Sequence, residues 1–122
     1  MTAMEVALAW DGALRNDDWA GARALLADEA TYTAPGAPEG QRSDCMTPDA
    51  IVAFLRDAKG KVPDAEVLNW TDVGNQVLAH VRLPIPGHPT EWYEVLAVAE
   101  GRIAELRAYP TLEAAEAASA AS

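Results

Sequence analysis

Up to Pro63 the apolar residues of this chain recur at helical spacing; after it they alternate, strand-like, through Tyr109. A single switch of period puts helices first and strands afterwards, and so predicts an α+β domain rather than alternating βαβ units. Helices are expected over 3–15, 18–27 and 48–58. A short strand is expected near 31–34, and four meandering strands after Pro63.

Each helix carries its own start signal. Thr2 can cap the first, with Glu5 reaching back as a capping box, and Val6, Ala7, Trp10, Ala13 and Leu14 form one apolar stripe. Trp10, at the centre of that stripe, is either plain core or a pocket wall whose indole N–H can donate. Asp18 and its neighbours offer caps for a second helix bearing Trp19, Ala22, Leu25 and Leu26, which Asp28 and Glu29 close. Thr47-Pro48-Asp49 combines a cap, a proline at the first helical position and an acid at the positive end of the dipole. Ile51, Val52, Phe54, Leu55 and Ala58 then make the buried stripe, ended by Lys59-Gly60-Lys61. Residues 34–46 are rich in breakers and polar groups. Glu39, Arg42, Asp44 and Cys45 are site candidates there, against the alternative of a solvated connection.

In the second half, Val77, Ala79, Val81 and Leu83 share one strand face, and Gln76, His80 and Arg82 the other. Glu100-Gly101 is a two-residue turn joining strands 92–98 and 103–109. In the last strand Ala104, Leu106 and Ala108 point one way; Ile103, Glu105, Arg107 and Tyr109 point the other. Short connections imply an antiparallel meander with helices on one face. The opposite face gathers His80, Arg82, Glu91, Tyr93, Glu105, Arg107 and Tyr109. It is read as the contact surface of a homodimer in preference to a solvated sheet face.

One residue breaks the pattern of the strand 92–98, which is otherwise apolar on both faces. If Trp92, Glu94, Leu96 and Val98 face the core, Glu94 puts a carboxyl into an apolar interior, where it is costly unless something uses it. The other register turns Tyr93, Val95 and Ala97 inward and leaves Glu94 an exposed, paired carboxylate. In the first case its pKa is raised, and Trp10, Tyr32, Leu96, Leu106 and Ala108 wall its pocket.

Composition narrows the partners. The chain has 122 residues, half of them hydrophobic, enough for one domain: 1–112, followed by an Ala-rich tail, 113–122. Nine Lys and Arg against nineteen Asp and Glu give a net charge of −10, which repels a phosphate backbone and argues against nucleic acid. Cys45 is the single cysteine, no apolar run approaches the ~20 residues of a membrane span, and the first residues lack the basic and apolar segments of a signal peptide. A cytoplasmic protein is expected, with no membrane partner. His80 and His88 lack metal-ligand spacing, so neither a metal nor a cofactor is expected.

The order of elements, the Leu-Leu-Ala-Asp-Glu-Ala-Thr-Tyr run at 25–32, the Thr-Pro-Asp-Ala-Ile start of the third helix and the Glu-Gly-Arg-Ile-Ala-Glu-Leu-Arg-Ala-Tyr segment at 100–109 resemble the SnoaL-like branch of the nuclear-transport-factor-2-like superfamily. The resemblance implies a cone-shaped fold: a curved antiparallel sheet covered on its concave face by three N-terminal helices, enclosing an apolar pocket. The superfamily includes ketosteroid isomerase, limonene epoxide hydrolase, scytalone dehydratase, polyketide cyclases and non-catalytic binding domains, so it implies a fold more than a reaction. Carried over by position, the isomerase's first-helix tyrosine falls on Trp10, its aspartate base at or near Ala34 and its neutral carboxylic acid on Glu94. The epoxide hydrolase's arginine and two aspartates fall on Val81, Leu83 and Ala108, so neither catalytic set is complete here. The resemblance then implies a small cofactor-independent isomerase, cyclase or dehydratase acting on an apolar, polycyclic or polyketide-like molecule. Glu94 would be its acid or base, and Trp10, Tyr32, Ala34, Trp92, Leu96, Leu106 and Ala108 its pocket. The alternative is a binding or assembly domain that keeps the pocket without the chemistry.

Overall fold

A computed structural model describes residues 2–33, 47–61, 64–87 and 89–120. Three helices, α1 (Ala3–Arg15), α2 (Trp19–Leu25) and α3 (Pro48–Lys59), pack against a five-stranded sheet of β1 (Leu26–Thr33), β2 (Glu66–Asp72), β3 (Gln76–Leu83), β4 (Thr90–Ala99) and β5 (Arg102–Tyr109). The strand order is β1-β5-β4-β3-β2. β2 to β5 form the expected antiparallel meander, while β1 joins the edge parallel to β5. The fold is α+β, as the single change of period requires.

The caps form as the sequence predicts. Thr2 and Glu5 make a reciprocal capping box, and Thr47 accepts from the Ala50 amide at 3.1 Å. Asp18 caps α2 through the Gly21 amide at 2.9 Å. A Cβ at position 21 would stand 2.2 Å from that capping carboxylate, which is why glycine occupies it.

Two boundaries differ from expectation, each for a physical reason. α2 ends at Leu25 instead of 27, and Asp28 and Glu29 belong to β1. Helical propensity at Ala27-Asp28-Glu29 is outweighed by burial of Leu26, Ala30 and Tyr32 and by pairing with β5 through an irregular register. In β5 the alternation slips once: Val98 pairs with Ile103 but Ala97 with Glu105, so Ala104 is an extra, bulged residue. Ile103 is thereby turned from the outer face into the main core, where it is fully buried.

The hairpin turn is as read: Glu100 and Gly101 both take positive φ, 55° and 76°, as a two-residue turn of this hand needs. It sets the register of β4. The main core lies between the helices and the inner sheet face, with Val6, Ile51, Val77, Leu96, Ile103 and Leu106 at its centre. The Ala-rich segment after Tyr109 forms a further helix, α4 (Leu112–Ala120), started by Thr111, whose hydroxyl accepts from the Ala114 amide. Good helix propensity and a cap suffice for it. α4 lies on the outer face, where buried Ala115 packs with Leu78 and Val95 beside Tyr93 and Tyr109.

Candidate functional site: an aromatic cavity around Glu94

β4 has the inward register Trp92, Glu94, Leu96, Val98, since Trp92, Leu96 and Val98 join the main core whereas Val95 joins the outer cluster. Glu94 is paired across the sheet with Ala79 on one side and Ala108 on the other. Two such small neighbours leave space above the carboxyl. That space is part of a cavity of about 410 Å³ between the three helices and the inner face.

The cavity wall is mostly apolar and strongly aromatic. α1 contributes Trp10 and Leu14, α3 contributes Phe54, Leu55 and Ala58, and the sheet contributes Tyr32, Val67, Trp70, Val81, Trp92 and Leu96. Tyr32 and Phe54 meet at 5.6 Å between ring centroids. Of the residues expected to wall the pocket, Trp10, Tyr32, Trp92 and Leu96 do so together with Glu94. Leu106 and Ala108 are buried but lie outside the wall: Leu106 is the cross-strand neighbour of Leu96 in the main core. Ala34, Glu39, Arg42, Asp44 and Cys45 lie outside the described residues.

The Glu94 carboxyl accepts one hydrogen bond, from the Trp92 indole Nε1–H to Oε1 at 2.9 Å. No ion pair to it exists among the described residues. Burial therefore pushes its pKa above the ordinary carboxylate range; the Trp92 donor opposes this, and the negative charge of Asp11 adds to the rise.

Asp11, Arg15 and Lys59, three of the charged residues in the wall, are engaged with partners of their own. Arg15 Nε holds Asp11 Oδ2 at 2.8 Å. Lys59 contacts Asp17 Oδ1 at 2.8 Å and donates to the carbonyls of Leu14 and Arg15, placing a cation at the negative end of α1. Sequence reasoning missed Asp11, Arg15, Trp19, Lys59, Asp64 and Trp70 as cavity residues. A signal existed for two of them: Asp11 and Arg15 flank the Trp10–Leu14 stripe. Phe54, read as buried stripe, is 38% exposed because it borders the cavity.

Among the described residues, no group of three or more His, Cys, Asp or Glu side chains is placed to hold a metal ion. No helix among them is long and apolar enough to cross a membrane.

Three helices packed on a five-stranded, mostly antiparallel sheet, with a cavity between them, make an NTF2-like α+β fold. Residues 7–106 match the SnoaL-like domain, and the chain belongs to that family. No curated protein matches its sequence. Among solved structures, an NTF2-like protein of unknown function from Cytophaga hutchinsonii superposes with a TM-score of 0.72 at 14% identity, over 95% of this chain and 96% of that one. A protein from Sinorhizobium meliloti provisionally assigned as a polyketide cyclase gives a TM-score of 0.72 at 22% identity, over 88% and 99%. An LEH-like epoxide hydrolase from M. tuberculosis gives 0.67 at 23%, over 91% and 84%. At such identities the likeness is one of fold, and it spans proteins with different activities or none assigned.

Proposed function

We propose that this protein is a small cofactor-independent enzyme of the isomerase, cyclase or dehydratase type. Its substrate is a largely apolar, polycyclic or polyketide-like small molecule taken into the cavity, and Glu94 is the acid or base. The observation that carries this reading is a carboxyl with a raised pKa, held by a single indole donor and facing a mostly apolar space of about 410 Å³. A carboxyl poised nearer neutrality can both give and take a proton. Its second oxygen has no hydrogen-bond partner among the described residues, so a ligand can bond to it.

Turnover of a panel of polycyclic aromatic and steroid-like ketones, followed by NMR in deuterated water, tests the reading. Proton exchange or rearrangement by the wild type is expected to fall by about 10²–10⁴-fold in Glu94→Gln. Binding without any turnover would favour the second reading, a binding domain without chemistry, for which the alanine at position 34 in place of a base is the supporting feature. The same proposal takes the outer sheet face beside α4 as a homodimer contact, supported by its charge pairs Arg82–Glu66 and His80–Glu91 and by the stacking of His80 on Tyr93. Sedimentation giving only monomer at micromolar concentration would contradict that part.

A further inference from the structure

We propose that the ligand of this cavity is an organic cation, an apolar body carrying an ammonium or similar cationic nitrogen that lies among the aromatic rings as the counterion of Glu94. The inference rests on the reading of the cavity as a small-molecule site and names the ligand's chemical class. Three independent features carry it.

The first is where the aromatics are. All four tryptophans and the single phenylalanine of the chain line this one cavity, as Trp10, Trp19, Trp70, Trp92 and Phe54, with Tyr32 beside them. Aliphatic side chains would satisfy an apolar ligand; ring faces add attraction for positive charge through their quadrupoles. Trp19 already receives two cations of the protein itself, Arg56 at 5.7 Å and Lys59 at 5.9 Å from its ring centroid.

The second is the balance of charge in the wall. Its ionisable groups are Asp11 and Arg15 on α1, Lys59 at the end of α3, Asp64 before β2, and Glu94 on β4. Arg15 is taken by Asp11 and also feels the charge of Asp64, and Lys59 is taken by Asp17 and two carbonyls at the end of α1. Glu94 is left with an indole N–H and no cation among the described residues. A cationic ligand supplies the missing partner and holds the carboxyl ionised.

The third is the field outside. A net charge of −10 draws cations toward the protein and disfavours anionic ligands at low ionic strength.

The chemistry balances simply. A quaternary ammonium pairs with the carboxylate, any proton still held by Glu94 passing to solvent, whereas an uncharged amine can take such a proton itself and become the ammonium partner. In both cases Glu94 ends as a carboxylate beside the cation, in the form that serves as a base.

An isosteric pair of probes isolates the charge: benzyltrimethylammonium and neopentylbenzene have nearly the same shape. Binding is read from tryptophan fluorescence, and proton release from calorimetry in buffers of different ionisation enthalpy, for wild type and Glu94→Gln. The expected result is that Glu94→Gln weakens the cation by roughly tenfold or more and leaves the neutral probe unchanged, with any proton release on cation binding confined to the wild type. Failure of the wild type to bind the cation while it binds the neutral probe, or an equal effect of Glu94→Gln on both, overturns the inference and leaves the apolar cavity intact. If neither probe binds, the small-molecule reading falls with it. Trp92→Phe, which keeps the ring and removes the donor to Glu94, is expected to retain the preference for the cation. Its loss there would assign the effect to the indole N–H and also overturn the inference.

Discussion

Glu91 and Glu94 lie on the same strand and face opposite ways. Glu91, on the outer face, is half-exposed and hydrogen-bonds His80 Nε2 at 2.6 Å, so its charge is shared with a neighbour and with water. Glu94, on the inner face, has an indole N–H, two alanines and a cavity. A carboxylate on a sheet becomes a candidate site when desolvation leaves its charge unmet, not merely because it is a carboxylate. Among the described residues the inner sheet face holds one such group, Glu94, whereas the outer face pairs Glu91 with His80 and Glu66 with Arg82.

The comparison can be strained from its foundations outward. Leu96→Ala removes a fully buried side chain next to Glu94 on the inner face, and is expected to cost about 2–5 kcal/mol in urea unfolding. A much smaller loss would mean that this end of the inner face is not the packed floor of the cavity. Gly101→Ala attacks the turn that fixes which glutamate faces in. With φ at 76°, a Cβ there is expected to cost about 1–2 kcal/mol, read as a lowered urea midpoint. Glu91→Gln breaks only the exposed pair, so its cost should stay within about 1 kcal/mol and shrink in high salt. A larger, salt-insensitive loss would make the outer carboxylate as critical as the inner one and erase the contrast.

Much of this was legible in the sequence, for reasons that differ by element. Capping chemistry placed α1 and α3, because Thr2, Glu5 and Thr47-Pro48-Asp49 act locally and need no tertiary context. Alternation grouped Glu94 with Trp92 and Leu96 but left open which face they share; the core contacts of Trp92, Leu96 and Val98 decide for the inner one. Where a non-local partner decides, the pattern misled: pairing of Leu26 with Ile103 of β5 turned Leu26 and Ala27 from helix to strand, and the bulge at Ala104 moved Ile103 to the core. The Ala-rich segment carried no periodic stripe to announce α4. In the cavity, Trp10, Tyr32, Trp92, Leu96 and Glu94 were legible as candidates from strand or helix face together with the family resemblance. Arg15, Lys59 and Trp70 were not, because their place in the wall depends on how α1, α3 and β2 converge.

Thermodynamic linkage gives the half-buried carboxyl a signature. Below the unfolded-state pKa Glu94 is neutral in both states and destabilises neither. As pH rises past that value the unfolded chain ionises first, so the wild type loses stability until the folded-state pKa is reached, and no further. Glu94→Gln lacks this loss. Its melting temperature relative to wild type should therefore be higher at pH 8 than at pH 5.

Carbon-13 NMR titration of the glutamate side-chain carboxyl signals, with Glu94 assigned by its absence in Glu94→Gln, is the most direct test of the site. The Glu94 signal is expected to titrate above the ordinary glutamate value of about 4.3, while Glu91 retains a signal that its own Gln variant removes. A Glu94 carboxyl that titrates at or below the ordinary value, with the same stability difference from Glu94→Gln at both pH values, would contradict the account.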